Sequence, residues 1–237
     1  GKSGYPPTAS LDFFRGAGAD LTFFAKPTLG IHWLPDALGW SVTRSTNEHF
    51  GSTYVWSTTF SIPVVLGGVW AAWRIKPAQK VALGFLLIAL FGFYMALGPS
   101  IKLNSVRPEG GVSMDYWMPA EAAIAPTGSG FLSEKLPGFN NMRASYRWTA
   151  LGVLGAWGLL VLSLSARHGR GTRLIGASLM GVVILFNLPD LPDKWARNAH
   201  HRAMFFQIET DLVDDMRGVL REGDRVAAGG RRRSRLR

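Results

Sequence analysis

Four apolar runs punctuate the chain: "YVWSTTFSIPVVLGGVWAAW" (54–73), "VALGFLLIALFGFYMALG" (81–98), "WTALGVLGAWGLLVLSLSA" (148–166) and "LIGASLMGVVILFNLP" (174–189). None contains a charged residue. At a rise of 1.5 Å per residue, about 20 residues cross the roughly 30 Å hydrocarbon core of a bilayer. The first three runs meet that length, and the fourth, shorter, stands where a returning helix is needed. No run carries a polar stripe, which marks helices buried in lipid or in a large core. Glycines recur within them (Gly67, Gly68, Gly84, Gly92, Gly152, Gly155, Gly158, Gly176, Gly181). Small residues of this kind let membrane helices approach closely. The pattern predicts an all-α integral membrane fold with four transmembrane helices, paired over 54–98 and 148–189.

The polar segments between the runs set an orientation. "RIKPAQK" (74–80) has three basic residues and no acid, and "RHGRGTR" (167–173) has three arginines, His168 and no acid. Short basic loops face the cytoplasm. The longer segments 1–53, 99–147 and 190–237 then fall on the extracytoplasmic side of a bacterial cytoplasmic membrane, with both termini. Segment 1–53 is dense in aromatics broken by Gly and Pro, as in an ordered, partly interfacial loop. Segment 99–147 carries Pro99, Pro108, Pro119, Pro126 and Pro137, which predicts a folded loop of short elements. In 190–237, Phe205, Ile208, Leu212, Met216 and Val219 recur at three and four residues, the spacing of an amphipathic helix. "EGDRV" then reads as a turn into a strand, but "AAGGRRRSRLR" has no apolar period. The expectation is an incomplete soluble segment ended by truncation or a shifted reading frame. A start at Gly1 without a signal peptide likewise reads as a piece of a longer polypeptide.

Composition agrees with membrane segments among polar loops. Only 18% of residues are charged, against about 25% in an ordinary soluble domain, and mean hydropathy is positive. The absence of cysteine removes disulfides, thiolate metal sites and thiol nucleophiles from consideration. The net charge of +10 does not point to nucleic acid. The basic residues lie in short loops and the terminal "RRRSRLR", rather than clustered on one folded face. Without 227–237, which hold five arginines and no acid, the charge falls to +5.

The chain has no Walker loop, HExxH or G-x-S-x-G motif. "GAGADL" (16–21) lacks the third glycine and preceding strand of a dinucleotide fingerprint. His200 and His201 need further ligands to hold a metal and read as surface histidines. No metal site or cofactor is identified, and dependence on a divalent metal is left open. Asp12 and Asp20, flanked by aromatics, are candidate site liners able to bind a sugar hydroxyl or act as a base. Helix capping is the plainer role for both. Glu48 and His49, just before the first run, are candidate liners at headgroup depth.

The stretch "LPGFNNMRASYRW" (136–148) is the best candidate for chemistry. With a helix beginning near Met142, Arg143 and Arg147 share one face at its N-terminus. There the helix dipole, free N–H groups and two guanidinium ions favour an anion such as a lipid phosphate. The competing reading is snorkelling to ordinary headgroups, with Tyr146 and Trp148 as the aromatic belt. Asn140 and Asn141 add directional hydrogen bonds that mere anchoring does not need, and they favour a site.

"ADLTFFAKPTLGIHW", "EHFGSTYVW", "ALGPSIKL" and "LPGFNNMRASYRW" together resemble the later membrane half of large bacterial polytopic proteins of the glycosyltransferase C superfamily type, over roughly residues 10 to 226. The resemblance implies transfer of a sugar from a polyprenyl-phosphate donor on the outer face of the cytoplasmic membrane. It also implies a catalytic acid in the first external loop of the full protein, which maps onto no residue here, so the fragment alone is expected to be inactive. Arg143 and Arg147 become candidates for donor-phosphate contacts. The alternative is a non-enzymatic membrane protein, either a transporter segment or an envelope-assembly scaffold. Transporters place polar groups inside their spans, and here only Asn187, near a helix end, qualifies.

Overall fold

The computed structural model describes residues 10–74, 80–108, 116–136, 139, 144–165 and 170–219. Helix dominates, and strand among the described residues is confined to one short ladder and three isolated bridges. The chain divides after Asp190 into two units.

Short elements come first: α1 (Leu11–Gly16), α2 (Leu21–Ala25), α3 (Trp33–Ala37) and α4 (Thr53–Thr58). The long apolar helices α5 (Ile62–Arg74) and α6 (Lys80–Ala96) follow. The 99–147 segment is a folded loop, as its prolines predict. It holds β1 (Ser100–Ile101) paired antiparallel with β2 (Ala125–Pro126), a 3-10 turn (Ala120–Ala122) and α7 (Gly130–Lys135). A second 3-10 turn, Ser145–Trp148, runs directly into α8 (Thr149–Ser165), and α9 (Arg170–Asn187) closes the first unit.

The first apolar run is not one continuous helix. Thr59, Phe60 and Ser61 separate α4 from α5. Pro63 accounts for this: its ring would strike the carbonyl four residues back, at Thr59, and it has no N–H to donate. The Ser61 N–H instead donates to the Phe24 carbonyl at 3.1 Å. The second run ends at Ala96 because Gly98 takes a left-handed backbone, φ +68°, which stops a helix at little cost.

Helix α8 is the hub, packed against α5, α6 and α9. Its Gly152, Gly155 and Gly158, three apart, receive Phe93, Ala89 and Phe85 of α6, four apart. On another side its Ala156 and Leu160 fit against Gly68 and Gly67 of α5. Small residues thus sit where helices touch, while Leu66, Val69, Trp73, Leu83, Leu87, Leu90, Leu154, Val161 and Val182 are exposed. Two stretches are long and apolar enough to cross a membrane, Thr53–Arg74 and Ser145–Leu164. The other two expected spans are apolar helices of shorter length, Lys80–Ala96 and Gly171–Asn187.

The second unit is described over α10 (Leu191–Val219), 29 residues long. Pro192 lies in its first turn, where an N–H has no intrahelical acceptor. The stripe of Phe205, Ile208, Leu212 and Val219 is helical as its spacing predicts, and these side chains are exposed. The strand expected at "EGDRV" and the basic tail lie outside the described residues.

The close approach of α6 and α8 makes opposite predictions for chemically identical substitutions. A Cβ at Gly92 would lie 2.2 Å from the Gly152 nitrogen, and one at Gly155 would lie 2.4 Å from the Ala89 nitrogen. Gly92→Ala and Gly155→Ala should each destabilise by about 1–3 kcal/mol. At Gly84 a Cβ meets nothing within 4 Å, so Gly84→Ala should stabilise by about 0.4–1 kcal/mol. Thermal melts of the three variants in one detergent check the sign as well as the size.

Candidate functional site

The N-terminal stretch "GAGADL" is the place to begin, because its glycines bring backbones together. A Cβ at Gly16 would sit 2.0 Å from the Tyr116 carbonyl oxygen, and one at Gly18 would sit 2.2 Å from that of Leu97. The stretch is therefore a crossing point of chains. Asp20 caps α2, its Oδ1 accepting from Thr22 N at 2.8 Å and Thr22 Oγ1 at 2.7 Å. The same carboxylate accepts from Asn104 N through Oδ1 and Ser105 N through Oδ2, both at 2.9 Å. Asn104 holds φ +49°, a left-handed conformation that asparagine tolerates better than most. With four donors and 1% exposure, Asp20 is a structural clamp rather than a base.

Lys102 fills the space beside it. Its Nζ donates to the Gly18 carbonyl at 2.7 Å and to the Arg15 carbonyl. Burial pulls its pKa down to about 7, opposed by the Asp20 charge and helped by that of Arg15. Arg15 in turn donates through Nε to Ser100 Oγ at 3.0 Å and through Nη1 to the Met118 carbonyl at 2.7 Å and Asp12 Oδ1 at 2.5 Å. Asp12 is thus an ion-pair partner, half-open to solvent. On the other flank, Arg44 lies over the Phe23 ring and donates to Thr28 Oγ1 and the Lys26 carbonyl. Burial lowers its pKa to about 10, with Asp20 opposing. The His49 pKa is lowered, first by burial and then by Arg44. The imidazole is neutral at pH 7, and its 4.0 Å approach to Glu48 is no ion pair there. None of Asp12, Asp20, Glu48 and His49 lines either cleft described next.

A cleft of about 500 Å³ opens where the α4–α5 break faces the start of α8. Ser57, Thr58 and Phe60 line it from one side and Tyr146, Arg147, Thr149, Ala150 and Val153 from the other, together with His32 and Asn187. Thr149 is 3% exposed, and its Oγ1 makes no hydrogen bond to any described residue. The Asn187 amide donates back to the Val183 carbonyl of its own helix at 2.8 Å. A second cleft of about 360 Å³ is lined by Phe13, Tyr54, Tyr116 and Ala144, and shares Tyr146 and Arg147 with the first. Among the described residues no carboxylate lines either cleft, and Arg147 lines both.

No family model, curated protein or solved structure matches this chain. The local geometry therefore carries the argument.

That geometry revises the expected anion site. Ala144 has φ −110° and ψ 67°, so no continuous helix runs from Met142 through Arg147. Asn140, Asn141 and Arg143, the other members of the expected site, lie outside the described residues. The N–H groups at the start of the turn are already engaged: Tyr146 N donates to the Ala17 carbonyl and Arg147 N to that of Ala144. What faces the cleft is the exposed Arg147 side chain, while the Thr149 hydroxyl beside it is buried. Trp148, half-buried, makes ring contacts with the exposed Phe91 and with Phe139. The sequence reading missed Thr149, Tyr54 and Tyr116 because threonine and tyrosine are common at such places and nothing local sets these apart. His200 and His201 have ring centres 6.0 Å apart, and no metal-holding group occurs among the described residues.

Two tests follow from the buried charges. In Asp20→Asn an amide N–H₂ replaces one acceptor opposite backbone donors, which should cost about 1.5–3 kcal/mol in denaturant unfolding. Lys102 has a folded pKa below its ordinary 10.5, so between those values the unfolded chain binds more protons. Stability should accordingly rise with pH from about 7 upward, flattening near 10.5, and be lowest below 7 where the charged amine is buried. Comparing unfolding midpoints of the wild type and Lys102→Met across pH 7 to about 9.5 isolates that slope. It should vanish in the variant.

Proposed function

We propose that the chain is part of an integral membrane protein of four spans, and that the Arg147–Thr149 cleft holds the phosphate of a polyprenyl-linked sugar donor on the extracytoplasmic face. The membrane reading draws on apolar side chains turned outward and small ones inward, the inverse of a water-soluble bundle. Helix α6, at 17 residues, spans about 25 Å, and Lys80 at its end reaches the interface by snorkelling. The basic segments 74–80 and 167–173 then face the cytoplasm.

The observation that supports the phosphate reading is the exposed Arg147 guanidinium shared by two clefts whose described lining residues include no carboxylate. A guanidinium donates to phosphate oxygens in a fork. Ala150 and Val153 extend the cleft wall along α8, giving an isoprenoid chain an apolar path toward the bilayer. In the implied transfer, the bond from the anomeric carbon to the phosphate oxygen breaks as an acceptor hydroxyl oxygen bonds that carbon. The hydroxyl proton passes to a base and polyprenyl phosphate leaves. The clefts supply donor binding to that reaction, and the base belongs to another part of the protein.

Farnesyl phosphate, titrated into the full chain in nanodiscs, tests the reading. Arg147→Ala should weaken binding tenfold or more, the equivalent of about 1.5–3 kcal/mol. Arg74→Ala, at the other end of α5, should bind as wild type does. Equal binding by Arg147→Ala makes the arginine an interface anchor. No binding by the wild type favours a transporter segment or an envelope-assembly scaffold.

A further inference from the structure

Helix α10 carries a seven-residue repeat. Leu191, Asn198, Phe205, Leu212 and Val219 stand seven apart, and Trp195, Arg202, Glu209 and Met216 each follow one of them by four residues. A repeat of seven keeps one seam facing a partner along two helices wound about each other. Over 29 residues the seam runs about 43 Å. Its large side chains are open: Trp195 is 78% exposed, and Leu191, Phe205, Leu212 and Val219 are exposed too. A helix in a folded protein draws most of its stability from packing such a face.

The charges are sorted along the same helix. Lys194, Arg197 and Arg202 lie in its first half, with Asp193, and Glu209, Asp211, Asp214 and Asp215 lie in its second. Arg217 in the second half pairs with Asp214 at 3.7 Å. We propose that α10 pairs with α10 of a second copy of this chain, antiparallel, about a two-fold axis near Phe205. A parallel pair sets Arg202 against Arg202 and Glu209 against Glu209 in the seam, which repels. The antiparallel pair sets Arg202 of each copy beside Glu209 of the other, on both sides of the Phe205 contact. Lys194 then lies beside Asp215, Trp195 beside Met216, and Leu191 beside Val219. These matches hold in one register to within about one residue, about 1.5 Å along the axis.

A two-fold pair uses one patch on both copies, so a sequence that complements itself end to end is what such an interface needs. A membrane surface fits the helix less well. Interfacial helices carry Lys and Arg on the polar face beside the apolar one, whereas here Glu209 stands in the seam between Phe205 and Leu212 and Asp215 flanks it. A second copy supplies each of these carboxylates with a cation. The inference uses α10 alone and stands whether or not the clefts bind a phosphate.

The chain has no cysteine, so introduced thiols report the pairing without background. Ala199→Cys and Val213→Cys, made separately in the full chain in detergent, are mixed and treated with a short bis-maleimide. The mixture should give a cross-link between positions 199 and 213 of different chains. Neither variant alone should link to itself, because like positions lie about 18 Å or more apart. Light scattering of the wild type should show a dimer as concentration rises. Arg202→Glu or Glu209→Arg alone should weaken that dimer about tenfold or more, and mixing the two variants should restore it, since each new charge then meets its opposite. Cross-links between like positions overturn the antiparallel pairing, and a dimer indifferent to Arg202→Glu overturns the seam. A monomer at every concentration overturns the inference outright. Protection of the Val213→Cys thiol by added lipid in that monomer then assigns the seam to a bilayer surface.

Discussion

Every helix end leaves backbone groups that its own turns cannot satisfy, and here one stretch, residues 17–33, meets an end of all four long apolar helices. Ala19 N donates to the carbonyl of Ala96, the last residue of α6, and Tyr146 N, in the turn leading to α8, donates to the Ala17 carbonyl. Ser61 N, just before α5, donates to the Phe24 carbonyl, and Trp33 N donates to that of Leu188, just after α9. The N-terminal segment is therefore a strap across one end of the bundle. A strap with so little regular structure must be fixed by other means, and Asp20, Lys102 and Arg15 do this by reaching into carbonyls and N–H groups more than 80 residues away.

Buried charges of this kind are expensive, and their partners explain why they persist. Asp20 replaces water with four hydrogen-bond donors, so its desolvation is largely offset. Lys102 has two carbonyls and a nearby carboxylate, which is less, and burial accordingly pulls its pKa toward neutrality. The cost fixes a register: a hydrophobic side chain at 102 fills space but does not say which carbonyls it must meet. Glycines at 16 and 18 allow that meeting, since a side chain at either would collide with a neighbouring backbone.

The elements that meet the strap also form the two clefts. Pro63 interrupts the first apolar run, the break exposes Ser57 and Thr58, and the 3-10 turn at Ser145–Trp148 turns Arg147 outward opposite them. Neither feature alone makes a concavity. Because Tyr146 N is tied to Ala17 and the Thr149 hydroxyl is buried beside the turn, the wall between the clefts is held by the parts that hold the bundle end together. Change at Ala17 or Gly18 would reach the candidate site through that wall.

The apolar runs by themselves determined the four long apolar helices α5, α6, α8 and α9. Their basic flanks grouped the helix ends, and the structure does bring the ends of α5, α6, α8 and α9 that adjoin the longer segments onto one strap. Such features are legible because they depend on local composition and a fixed rise per residue. The α4–α5 break was also written in the sequence, at Pro63, but a run of uniform hydropathy hides it. Tertiary structure alone decided the site. Asp12 and Asp20 look equally available as letters, yet one pairs with Arg15 near the surface and the other is enclosed by donors from residues 104 and 105. Arg147 stands in a 3-10 turn entered through the non-helical backbone of Ala144, which its sequence neighbours do not announce. Tyr54 and Tyr116 are 62 positions apart in the sequence, and only the folding of the loops over the bundle end makes them walls of one cleft. Spacing along a chain fixes direction only within a continuous element, and this site is assembled where elements end.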